Sequence, residues 1–333
     1  MKQGTYILTF SGPEESRWGQ PHFESVIYEN TTNGIRTLSI LNDDTTIAGS
    51  NVFQVPKCDV VNSLIKYIPF WDPSGRKPQL IKTTLNCGQR YSGMYRPMYI
   101  SDYRDMENLL LDGRITCDYY VDPPINDIKT YSNYLRQLEF ILDELHTVFM
   151  VVEPDKNNFE TFGNTIRNIL ILACTEFDSL MKLILKENNI ENTNDRYSTK
   201  DYVSLLRPLK LREYSLSLKN INEINTISPF LKWNKNNPTK SLNWYDAYNG
   251  IKHDRINNFK QAKLSNALDA IMGFAATLIA KYGYRNDLWN EKIGKIIQVD
   301  KEPQWAVKDF YIPPFCHSNF QYVDYPLIVN QRS

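Results

Sequence analysis

Apolar side chains recur with a helical period over residues 158–188, where Phe162, Ile166, Ile169, Leu170, Ala173, Phe177, Leu180, Met181 and Ile184 mark one continuous face. That pattern predicts the longest and firmest helix in the chain. A second helix is predicted over 127–152, with Asp127 as its cap and Tyr134, Leu138, Ile141, Leu142 and Leu145 inward. A third follows over 260–282, carrying Leu264, Ala267, Leu268, Ile271, Phe274, Ala275 and Leu278 on its inner face. Its small residues Gly273, Ala275, Ala276 and Ala280 suit close helix approach or self-association. A short helix at 198–206 has Ser198 or Thr199 to cap it and Pro208 to stop it, whereas 209–238 shows no sustained period.

The N-terminal part follows a different rule. Short β-like stretches at 6–10, 25–28, 36–41, 79–85 and 114–121 are bounded by Gly, Pro, Asn or Asp, with one short helix expected at 60–68. Paired prolines at Pro123 and Pro124 mark the change of period, since they favour extended backbone. The pattern implies an α+β protein: a β-rich half at 1–125, a C-terminal antiparallel helical bundle at 126–283 with an insertion at about 209–240, and an aromatic-rich segment at 284–333 that packs back on the body.

Composition narrows the function classes. The 38 basic and 38 acidic residues cancel, so no whole-chain field draws the protein to nucleic acid or to an anionic membrane. Any such binding must be local. The longest apolar run, 169–174, is far short of a bilayer span, and residues 1–5 lack a signal-peptide core, which leaves a cytoplasmic protein as the expectation. Cys58, Cys87, Cys117, Cys174 and Cys316 are scattered, with no metal-ligand spacing and no disulfide framework, and no motif calls for a cofactor.

Two stretches carry candidate chemistry. Residues 88–97 interleave Arg90, Tyr91, Tyr95 and Arg96, which could stack and clamp a single nucleic-acid strand or serve an ordinary sheet edge. The denser stretch is 243–255, Asn-Trp-Tyr-Asp-Ala-Tyr-Asn-Gly-Ile-Lys-His-Asp-Arg. At helical spacing Asp246, Asn249 and His253 share one face while Trp244, Tyr248 and Ile251 form an apolar stripe on another. Seven basic residues against two acidic ones lie between Lys232 and Lys263, a local excess suited to an anion. A phosphodiester fits, with Lys252 and Arg255 on the phosphate and His253 as general acid or base. Polar clusters of this kind also serve as caps or buried networks. Glu176, set among apolar positions, calls for a cationic partner, with Arg255 or Lys252 as the expected one. His22, His146 and His317 have no supporting constellation.

Two long helices, an irregular insertion and further helices with a Lys252-His253-x-Arg255 element resemble the HEPN superfamily over about 127–283. A group of uncharacterised bacterial proteins is similar at 237–241, 244–255 and 164–170. The resemblance implies an RNA-directed effector of a prokaryotic defence or stress system, a metal-independent endoribonuclease working as a homodimer, with His253, Lys252, Arg255, Asn249 and Asp246 at its site. The alternative is a non-catalytic interaction and dimerisation module. HEPN ribonucleases typically place an arginine four to six residues before the histidine, where this chain has Ala247, Tyr248 and Asn249. On an unbroken helix Arg255 would be turned about 200° from His253. Either the helix breaks near His253, Lys252 supplies the charge, or the site is not nucleolytic.

Overall fold

The computed structural model describes residues 4–11, 27–31, 34–37, 52–53, 77–98, 123, 125–190, 192–221, 223–224, 226–312 and 323–326. The expected helix at 60–68, the strand at 114–121, Cys58, Cys117, Cys316, His22 and His317 lie outside them. The chain mixes helix and strand and divides into two units. One comprises Met1–Arg90, Arg96–Pro123 and Trp305–Asp324; the other comprises Tyr91–Tyr95, Pro124–Gln304 and Tyr325–Ser333.

In the first unit four of the expected β-like stretches, joined by an unexpected short strand at 52–53, form a five-stranded sheet: β1 (Gly4–Ser11), β2 (Ile27–Thr31), β3 (Gly34–Thr37), β4 (Val52–Phe53) and β5 (Lys77–Lys82), ordered β4-β3-β2-β1-β5. Every pairing is antiparallel, with Tyr6 opposite Tyr28 on one side and Lys82 on the other. Pro78 falls on β5, an edge strand, where a missing N–H need not break a ladder. Later chain completes the unit: the Thr84 and Gly88 amides donate to the carbonyls of Lys308 (2.8 Å) and Ile312 (2.9 Å).

The second unit is built on α1 (Ile128–Phe149) and α2 (Asn164–Glu187), followed by α3 (Thr199–Tyr202), α4 (Asn243–His253), α5 (Arg255–Asn258), α6 (Leu264–Tyr282) and α7 (Asp287–Lys292). Asp127 caps α1 as expected, its carboxylate accepting from the Thr130 amide at 3.0 Å. α2 packs against α1, α4 and α6, and every apolar position named for it is buried save Phe162, which precedes the helix and is 43% exposed. The stretch after 209 is not wholly irregular: β6 (Ser215–Leu218) pairs antiparallel with β7 (Ile297–Lys301).

Phe177 lies at the centre of the core. Its ring meets those of Tyr202, Phe230, Trp233, Trp244 and Tyr245 at centroid separations of 5.1–6.4 Å. Offset and edge-on ring pairs of this kind add to the burial of apolar area. The small residues of α6 serve this packing. Gly273, Ala275, Ala276 and Ala280 are all buried, and a Cβ on Gly273 would stand 2.8 Å from the Trp244 ring. Their role is therefore close approach inside the unit; self-association through them is ruled out by burial.

Candidate functional site

α4 is amphipathic for the reason its sequence gives: Trp244, Tyr248 and Ile251 are buried, while Asp246 and His253 are exposed and Asn249 is partly so. The helix ends at His253. Asp254 adopts extended backbone (φ −147°, ψ 83°) and caps α5, accepting from the Asn257 amide at 3.2 Å and from Asn257 Nδ2 at 2.7 Å. That break restarts the helical phase, so Arg255 escapes the orientation a continuous helix would impose.

Two clefts flank α4. The larger, about 930 Å³, runs between α1, α2 and α4, and its lining includes Arg167, Lys182, Lys186, Lys252 and Arg255. Asp178 is the sole carboxylate among its lining residues. Asp178 accepts from the Tyr245 hydroxyl at 2.7 Å, and Tyr202 also bonds to it. Burial raises its pKa against these two bonds, and the same burial, with the neighbouring carboxylate, pushes both tyrosines well up. Lys252 donates to the Tyr248 hydroxyl at 3.1 Å, a bond that raises the lysine's pKa and keeps it charged. Lys186 is paired with Asp195 at 2.9 Å, whereas Arg167, Lys182, Lys252 and Arg255 make no ion pair among the described residues. Arg167 Nε is buried with no hydrogen-bond partner. Arg255 reaches Asn164 Oδ1 at 3.4 Å.

The smaller cleft, about 480 Å³, is lined by Asn243, Asp246, Ala247, Gly250, Asn258, Gln261, Lys263 and Asn266. With about 100° of rotation per residue, Asp246 and Gly250 face this cleft and Tyr248 and Lys252 the other. His253 and Asn249 fall on the ridge between them and line neither.

No protein-family model, no curated protein and no solved structure matches the chain.

The five residues singled out from sequence are thus divided. Lys252 and Arg255 enter the cationic groove, Asp246 enters the polar cleft, and His253 and Asn249 stand between. The ion pair expected for Glu176 does not form: it lies half-buried, desolvation raises its pKa, and Lys252 and Arg255 bond elsewhere. The loop at 88–97 offers no stacking platform. Tyr91, Tyr95 and Arg96 are buried, Arg96 lies over the Trp305 ring at 4.6 Å, and Arg90 pairs with Asp324 at 2.6 Å. His146 is a surface residue of α1.

Sequence reasoning missed Arg167, Lys182 and Lys186 as partners of Lys252. The signal was there in α2: positions 167, 171, 175, 178, 182 and 186 form a single stripe at helical spacing, beside the apolar one, and all of them line the groove.

Proposed function

We propose that the helical unit is a HEPN-like bundle whose cationic groove holds RNA by its phosphodiester backbone. The chain would serve as an RNA-directed effector of a prokaryotic defence or stress response, with a β-rich first half. One observation carries the reading: five cations converge on one open groove whose only carboxylate is already engaged by two tyrosine hydroxyls. With Lys186 paired to Asp195 and one carboxylate for the other four cations, the groove keeps a net positive charge, and an extended polyanion balances it while releasing its own counterions. A neutral chain overall then binds through one locus.

In this reading the proton is moved by His253, which is exposed on the ridge next to Lys252. As general base it would take the proton of a ribose 2′-hydroxyl, whose oxygen attacks the adjacent phosphorus. The imidazolium would return that proton to the departing 5′-oxygen, leaving a 2′,3′-cyclic phosphate and a 5′-hydroxyl, with Lys252 and Arg255 balancing the charge on the phosphorane.

The test has two arms on the full chain. In the binding arm, affinity for single-stranded RNA should fall with salt at a slope of about −3 if four phosphates are held, and each of Arg167→Ala, Lys252→Ala and Arg255→Ala should reduce that slope by about 0.7. Variants that bind like the parent would remove the groove reading. In the cleavage arm, purified protein in EDTA should cut RNA and His253→Ala should bind but not cut. If no RNA pool, tRNA included, is cut, the non-catalytic module stands instead. That second reading is favoured by one observation: His253 lines neither cleft, and its side chain makes no hydrogen bond among the described residues.

A further inference from the structure

The smaller cleft has chemistry that phosphate binding does not use. Its single cation, Lys263, is held by both oxygens of Glu160 at 2.9 and 3.1 Å. Asn258 Nδ2 donates to the Asp254 carbonyl at 3.0 Å, and Asn266 Nδ2 donates to the Gln261 carbonyl at 2.9 Å. A backbone carbonyl only accepts, so these contacts fix both amides with the amino group turned away and leave the Oδ1 atoms as the free ends. Among the described residues the Asp246 carboxylate makes no hydrogen bond or ion pair, and the side chains of Asn243 and Gln261 are likewise uncommitted. The cleft therefore presents a carboxylate and two amide oxygens as acceptors, with two whole amides that can donate or accept. Gly250 keeps the helix surface flat there, for a Cβ would stand 3.3 Å from Asn258 Cγ.

An acceptor-rich cleft whose one cation is already held by Glu160 selects a ligand that offers neighbouring N–H donors along one flat edge. Among the nucleobases guanine alone places two such groups, N1–H and the N2 amino group, side by side, which is the spacing of two carboxylate oxygens. Adenine would set its N1 lone pair against the carboxylate, and uracil offers a single ring N–H. We infer that this cleft is a guanine-reading pocket, in which Asp246 accepts from N1–H and N2–H while Asn243 and Gln261 supply donors for O6 and N7. The inference deepens the RNA reading and rests on it for the source of the base: a strand whose backbone lies in the groove would cross the α4–α5 corner, past His253, to place one base here. A free guanine nucleoside shares the same edge.

The experiment separates the two sources. Saturation-transfer NMR on the full chain, with guanosine and with adenosine, probes the pocket without any phosphate for the groove to hold. Guanosine should give a signal that Asp246→Asn abolishes and Arg167→Ala leaves intact, and adenosine should give none. Short uridine-rich RNAs carrying one guanine or one adenine should then differ about tenfold in affinity, a difference that Asp246→Asn erases. Absence of a guanosine signal, a signal indifferent to Asp246→Asn, or equal affinity for the two RNAs overturns the assignment. Loss of all RNA binding beside an intact guanosine signal would instead remove the groove and leave a nucleoside pocket. Asp246 is exposed, so the substitution does not threaten the fold.

Discussion

The aromatic core and the cationic groove are both built on α2, and adjacent residues belong to different regimes: Phe177 is wholly buried among rings while Asp178 lines the groove. The core gains from removing apolar surface and from shape fit, and its members are nearly interchangeable with other side chains of the same volume. The groove gains nothing from burial. Its cations stay near water because burying an unpaired charge is costly, and its one carboxylate is tolerated because tyrosine hydroxyls satisfy it. A single helix thus carries packed apolar side chains on one side and the lining of a cationic groove on the other. Substitutions on the two sides should report on different measurements.

The sharpest way to separate them is Phe177→Ala, which empties the centre of five ring pairs. It should cost about 3–5 kcal/mol in urea unfolding. If the variant still folds at low temperature, its RNA salt slope should match the parent's; a changed slope would show that the two sides of α2 are not independent. Asp178→Ala tests the boundary, since it strands buried tyrosine hydroxyls while removing the only negative charge in the groove. A loss of about 2 kcal/mol in stability is expected, together with RNA affinity no weaker than the parent's. Weaker binding would mean that the carboxylate holds the groove in shape.

The smallest effect concerns Asp269 on α6, where burial pushes the carboxyl up to about 6 against the pull of Lys232. Its folded-state value exceeds the ordinary 3.8, so the folded protein holds this proton more tightly than the unfolded chain does. The stability it contributes is complete below about pH 3.8 and is lost as pH rises through about 6. Asp269→Asn should therefore raise the Tm at pH 8, by an amount equivalent to about 1 kcal/mol after allowing for partial exposure, and change little at pH 4. A gain of equal size at both values would assign the effect to packing.

Much of this architecture could be read from the chain. The 3.6-residue period of α1, α2 and α6, the Asp127 cap and the change of rule at Pro123-Pro124 are local signals, and the unit boundary falls between those two prolines. The β6–β7 pair was illegible because each strand is short and its partner lies some eighty residues away, with Ser215 opposite Lys301. The site was half legible for the same reason. Lys252, His253 and Arg255 are neighbours in sequence, but Arg167, Lys182 and Lys186 join them only through the packing of α2 on α4. The break at Asp254, open as one of several alternatives in the sequence, turned on a cap whose partner, Asn257, lies in a turn too short to show a period.

Residues 91–95 show what a sequence-drawn boundary would sever. Gly93 takes a left-handed backbone (φ +60°) where a Cβ would collide with the Glu187 carboxylate that pairs with buried Lys281. On either side, the Asn188 side chain donates to the Ser92 carbonyl at 2.9 Å and the Tyr95 amide to the Ala280 carbonyl at 2.9 Å. This strap closes the far ends of α2 and α6 although it precedes the first by almost a hundred positions and the second by almost two hundred. A fragment started at Pro124 would keep every long helix and still uncover Asn188, the Ala280 carbonyl and that ion pair together. Anyone producing the helical half by itself needs to graft the strap back on.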